Sequence, residues 1–141
     1  MSQAGETFFT AVGCMDGRAL RSVRKYGKAK FGVFFVDMIT EAGLVGLVAK
    51  KNVSKSLLNS LKKKILISLE KHHSRGIIVH GHQECAGNPV ADAQHKKDVL
   101  KAAKTISALI PKNTQIIPVF VTRSASRRYP EGHSRWIAEK L

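Results

Sequence analysis

The sequence predicts an α/β fold: a mostly parallel β-sheet of about four strands flanked by helices, in one domain spanning residues 1–141. Three observations predict it. Short runs rich in β-branched and aromatic residues alternate with longer stretches of helical periodicity, the pattern of βαβ units. The run Gly76–His80 (GIIVH) is apolar without alternation, as a strand covered on both faces must be. The chain has 141 residues, enough interior for one domain to fold without a disulfide or structural metal.

The elements follow in order. Thr7–Gly13 (TFFTAVG) reads as a buried strand ended by glycine. Arg18–Tyr26 reads as a short helix with Gly27 as its stop. Phe31–Val36 (FGVFFV) is the second strand. Ser54 suits an N-cap, and Leu57, Leu58, Leu61, Ile65 and Leu69 then form one apolar stripe at helical spacing, with Gly76 as the stop. Gly76–His80 is the third strand. Asn88-Pro89 reads as the start of the next helix, whose inner face is Val99, Ala103, Ile106 and Ile110. Gln115–Val121 (QIIPVFV) is the fourth strand, and Pro118 puts it at or near a sheet edge. A short amphipathic helix is expected around Trp136.

Composition narrows the function. At 43% hydrophobic and 24% charged residues, the chain is not disordered, collagenous or coiled-coil. Its longest apolar stretch, Gly43–Ala49, is far short of the roughly 20 residues of a membrane span. No secretory signal pattern opens it, so a cytoplasmic location is expected. Lys and Arg number 24 against 10 Asp and Glu, a net charge of +14. Such a surplus favours anionic partners, from nucleic acid to small anionic substrates. Aromatic residues are only 6% of the chain, so stacking platforms for single strands are few. Lys50, Lys51, Lys55, Lys62, Lys63, Lys64 and Lys71 read first as a solvated helix face, with a nucleic-acid or acidic-lipid patch as the lesser reading.

In parallel sheets, sites gather beyond the carboxyl ends of strands. The rule points here to the loops after Gly13, Val36 and His80. Cys14 ends the first strand, in Cys14-Met15-Asp16-Gly17-Arg18; His82 and Cys85 follow the third, in Gly81-His82-Gln83-Glu84-Cys85. If those strands are neighbours, Cys14, His82 and Cys85 converge. Two thiolates and one imidazole suit zinc, and three protein ligands leave the open fourth position of a catalytic metal. Asp16 is near enough to fill that position or to lie beside a bound water. Arg18 is placed to hold its carboxylate by a forked pair of hydrogen bonds. The competing reading makes the cysteines core residues and Asp16–Arg18 a helix-capping ion pair. His80 reads as core, proton transfer is the lesser reading of His95, and His72 and His73 belong to a solvated helix end. Glu84 is the unpaired acid of the loop, a candidate to orient His82 or a water. Ser124, Ser126, Arg127 and Arg128 read as a basic loop with some capacity for anions.

These motifs resemble those of the β-class carbonic anhydrases. The resemblance rests on Cys14-x-Asp16-x-Arg18, on Gly81-His82-x-x-Cys85 and on Ala42-Gly43 after the second strand, and extends to the element order over residues 7–122. It implies one zinc ion per chain held by Cys14, His82 and Cys85, with Asp16 and Arg18 as the catalytic dyad. The implied reaction is reversible hydration of carbon dioxide to bicarbonate by metal-bound hydroxide, in a homodimer or larger homo-oligomer. Two other readings stay open. One is a zinc hydrolase of the same fold acting on carbonyl sulfide or carbon disulfide. The other is a non-catalytic, zinc-stabilised basic module binding nucleic acid. Thr40-Glu41 stand where the family commonly has Arg-Asn, and Ala86 where it commonly has Gly.

Overall fold

Strand β1 (Phe8–Cys14) is the element on which the others assemble. It pairs in parallel with β2 (Phe35–Glu41) on one side and with β3 (Ile77–His82) on the other. Strand β3 pairs in parallel with β4 (Ile116–Arg128), and β4 pairs antiparallel with β5 (Ser134–Lys140). The result is a five-stranded sheet of order β2-β1-β3-β4-β5. The computed structural model describes residues 3–128 and 134–141, with the side chains of 125–134 left out. Helices α1 (Gly17–Phe31), α2 (Leu44–Val48), α3 (Lys55–Lys71) and α4 (Asp92–Ser107) link the strands.

Both faces of the sheet are covered. Val12, Ile39, Ile77, Val79 and Phe120 pack against Leu61 and Ile65 of α3 and Val99 and Ile106 of α4. On the other face, Phe9, Ala11, Ile78, Val119 and Val121 meet Ala19 and Val23 of α1, with Trp136 and Ala138 of β5 at the margin. The predicted α/β class therefore holds, and the elements differ in instructive ways.

Helix α1 runs through Gly27 and ends at Gly32, whose φ of 61° supplies the left-handed cap. Gly27 is instead a contact residue: a Cβ there would overlap the Phe9 ring. Because the helix consumes Phe31, β2 begins later than the sequence suggests. The Ser54 cap is as expected, its side chain accepting from Leu57 N–H. Asn88-Pro89 does not open α4. That helix starts at Asp92 behind Ala91, and Asn88 turns its amide to Asp98 at 3.0 Å.

The expected helix around Trp136 is a strand. Trp136 and Ala138 face the core, as period-two alternation along an edge strand requires. With β5 outside it, β4 is not the edge. Pro118 sits at the end of the β4–β5 pairing: Val119 pairs with Lys140, and the Leu141 N–H donates to the Pro118 carbonyl.

His72 is not simply solvated. Its Nδ1 lies 2.7 Å from Asp37, which also accepts from buried Ser68 at 2.6 Å, and its ring stacks on Phe8. Ser68 bonds Thr10 in turn. This chain of polar groups ties α3 to β1 and β2 at the end of the sheet opposite the cysteines. His73 is exposed.

Candidate metal centre

Sheet register brings the cysteines together. Gly13 lies opposite His80 in the β1–β3 pair, so Cys14 emerges beside the turn that follows β3. Strand β3 then delivers His82, and the turn carries Cys85 back toward Cys14. The two sulfurs are 3.7 Å apart, both thiols are free, and both are buried. The ligand atoms of Cys14, His82 and Cys85 all lie within 4.8 Å of one another.

Each donor is set by a neighbour. His82 Nδ1 is 2.7 Å from the Gln83 carbonyl. A carbonyl only accepts, so Nδ1 carries the proton and Nε2 presents its lone pair. Nε2 is buried without a hydrogen-bond partner among the described residues. Gly43 N–H donates to the Cys14 sulfur at 3.4 Å. Burial pushes the Cys85 thiol above its ordinary value, and adjacent Cys14 acts in the same sense; hydrogen bonds from the Asn88 and Gly87 amides act against them. Gly43 has φ 61°, and a Cβ there would collide with the Gly87 backbone. Ala42-Gly43 thus lets α2 approach the Cys85 turn closely enough to place an amide on Cys14.

Asp16 stands at the mouth. It is the N-cap of α1, and its Oδ1 accepts from Arg18 N–H at 2.9 Å. Arg18 grips the same carboxylate with Nε (3.0 Å to Oδ1) and Nη2 (2.7 Å to Oδ2). Oδ2 lies 4.0 Å from His82 Nε2. The Arg18 guanidinium holds the Asp16 carboxyl at about 2, below its ordinary 3.8, against a smaller opposing effect of burial.

Two other residues meet Arg18, and a third, Arg123, meets both of them. Its Nη1 donates to Glu84 Oε2 at 3.4 Å, and its Nη2 to the Glu84 carbonyl at 3.2 Å. Glu84 is therefore not the unpaired acid of the loop, and it turns to Arg18 rather than His82. Arg123 donates to Glu84 Oε2 at 2.6 Å. The Trp136 ring takes Arg18 at 5.0 Å and Arg123 at 4.6 Å. Arg123 follows the fourth strand as the sequence predicts it, Gln115–Val121, where the carboxyl-end rule applies, although β4 itself runs on through it. Trp136 had no such signal.

His80 and His95 are interior. His80 is fully buried against Gly13, with neither ring nitrogen hydrogen-bonded among the described residues, and burial drives it down to about 3. His95 is buried between His82 and Phe120, its ring centroid 6.2 Å from that of His82. Burial lowers its pKa as well. Ser124 lies in β4; the side chains of Ser126, Arg127 and Arg128 lie outside the described residues. A groove of about 490 Å³ runs between α1 and β5, away from the cysteines, and Trp136 is part of its lining.

A family model described as "Putative carbonic anhydrase" matches residues 4–128. No curated protein sequence matches the chain. Among solved structures, it is similar to β-carbonic anhydrase isoform I from Trichomonas vaginalis, at 13% identity and a TM-score of 0.52, over 100% of this chain and 89% of that one. It is also similar to a carbonic anhydrase from Streptococcus mutans, at 16% identity and a TM-score of 0.52, over 97% of this chain and 87% of that one. At these identities the structural likeness speaks for the fold.

Proposed function

The chain belongs to the carbonic anhydrase family whose model spans residues 4–128, and on that premise we propose that it is a zinc enzyme catalysing the reversible hydration of carbon dioxide to bicarbonate and a proton. Cys14, His82 and Cys85 would hold the zinc, and Asp16 and Arg18 would form the catalytic dyad.

One observation carries the reading: the unpartnered, buried Nε2 of His82 faces two thiols whose sulfurs are 3.7 Å apart. Two sulfurs bound at 2.3 Å to one tetrahedral zinc would sit roughly 3.8 Å apart. The Nδ1–H bond to Gln83 already fixes the tautomer such a ligand needs. An orphaned buried nitrogen is costly without a partner, and a metal supplies one. The donor set therefore fits zinc.

When bound there, zinc supplies Lewis-acid activation of water, bringing its pKa toward neutrality. The chain's own residues supply orientation. With its carboxyl at about 2, Asp16 is ionised at every working pH and can only accept. Three bonds from Arg18 occupy one side of the carboxylate. Oδ2, 4.0 Å from His82 Nε2, would accept the hydrogen of a water in the cleft, aiming its oxygen at the carbon of carbon dioxide. So acidic a group orients and does not store the released proton, which passes to solvent.

The proposed assembly is a homodimer or larger homo-oligomer. Phe34 and Phe35, 65% and 44% exposed beside edge strand β2, are apolar surface that a second copy would cover. The test of the function is stopped-flow hydration of carbon dioxide on protein of known zinc content. Turnover that tracks zinc supports the reading; full zinc without turnover overturns it.

A further inference from the structure

We propose that Glu84, Arg123 and Trp136 form a clamp that fixes the Arg18 guanidinium, making them positioning residues for Asp16. The proposal rests on the assignment of Asp16 and Arg18 as the dyad of the proposed function.

The pair needs outside support. The Arg18 side chain is 42% exposed, and exposed ion pairs contribute little because ordering the long side chain offsets the attraction. Arg18 is also only two positions from Asp16, so both sit on one short stretch of backbone. The backbone cap holds Oδ1 alone, and Oδ2 is held by the guanidinium.

The clamp meets Arg18 from two other elements. Glu84 uses both its carboxylate and its carbonyl on the guanidinium. Arg123 holds that carboxylate in place at 2.6 Å. Trp136 offers its ring to both arginines, a contact that stays favourable at exposed sites and limits guanidinium motion. The ring is itself anchored: Arg123 and Trp136 are partners in the β4–β5 ladder, and Ser22 of α1 donates to the Trp136 carbonyl at 2.8 Å.

Three features mark the arrangement as specific. Glu84 adopts φ 54°, a left-handed conformation that is unfavourable for a non-glycine residue and persists only where surroundings enforce it. That conformation turns its carbonyl to Arg18. Glu84 also lies between His82 and Cys85, so the clamp couples the ligand turn to Arg18 directly. Moreover, Trp136 lies beyond residues 4–128 that the family model spans. The last strand thus brings to the site a contact that the matched region does not contain.

The experiment records the Nε–H signal of Arg18 by ¹⁵N NMR near neutral pH, assigned by its loss in Arg18→Lys, alongside carbon dioxide hydration at known zinc content. Wild-type protein should give a slowly exchanging signal from the bond to Asp16. Glu84→Gln and Trp136→Ala should broaden or abolish it, although Asp16 is untouched. Trp136→Phe, which keeps an aromatic face, should retain it. Zinc content should hold in all, while kcat falls about tenfold in Glu84→Gln and Trp136→Ala with little change in KM. An unchanged Arg18 signal in both variants overturns the clamp, as does kcat within twofold of wild type. If the wild-type protein has no turnover, the proposed function fails, and the NMR arm alone decides the clamp. The amide spectra of Glu84→Gln and Trp136→Ala separate loss of the clamp from loss of fold.

Discussion

The sulfur of Cys14 lies 3.7 Å from that of Cys85, across 71 positions of sequence. Only the parallel pairing of β1 with β3 brings them there. A metal that binds this pair with His82 binds the folded chain and not the unfolded one, so metal removal should destabilise. At a thousandfold excess over Kd the linkage is about 4 kcal/mol. For a domain of this size that corresponds to roughly 10 °C in Tm. Thermal unfolding with and without chelator checks it, and Cys85→Ser should abolish the difference.

Gly43 should resist substitution. Its φ of 61° and the Gly87 backbone beside it leave no place for a Cβ. Gly43→Ala would push α2 away from the turn and pull its amide off Cys14. Loss of such a supporting hydrogen bond typically lowers metal affinity about 10–100-fold. A competitive zinc titration against a chromophoric chelator measures this, and Gly17→Ala, where a Cβ meets open space, is the matched control.

His80 makes stability depend on pH. Its folded pKa of about 3 is below the ordinary 6.5 because burial excludes the charge. The unfolded chain therefore binds a proton below about 6.5 that the folded chain refuses until about 3. Stability from this group is complete above 6.5 and is lost as pH falls through that window, at up to about 1.4 kcal/mol per pH unit. Urea unfolding of chelated protein at pH 7, 5.5 and 4 should show this slope, and His80→Met should flatten it.

Asp16 shifts the same way over a lower range. Its pKa of about 2, depressed mainly by Arg18 from 3.8, gives stability that is present above about pH 4 and lost as pH falls toward 2. Asp16→Asn should accordingly lower stability at pH 5, and the gap to wild type should close near pH 2. Acid titration followed by circular dichroism measures both.

Much of this was legible in the sequence. The strand–helix alternation predicts the α/β class, because a parallel sheet needs helical crossovers. The apolar run before His82 predicts a central strand, and the carboxyl-end rule places Cys14 beside His82 and Cys85. What stayed hidden depended on contacts between distant segments. Gly27 reads as a stop until Phe9 is seen against it. Asn88-Pro89 carries the local chemistry of a helix start, but Asn88 bonds Asp98 and its backbone is held against Gly43. Trp136 sits in a stretch that either periodicity can fit, and only pairing with Arg123 in β4 makes it a strand. Glu84 gives no local sign of its two arginine partners, which come from α1 and β4.

The most direct test is stopped-flow carbon dioxide hydration across pH, on wild type and Asp16→Asn with zinc quantified in both. The account predicts turnover that rises with pH, tracks zinc and disappears on chelation. It predicts that Asp16→Asn keeps its zinc and loses about 100-fold in kcat, the scale of a lost orienting contact. Fully zinc-loaded wild type with no turnover at any pH, or Asp16→Asn as fast as wild type, would contradict it.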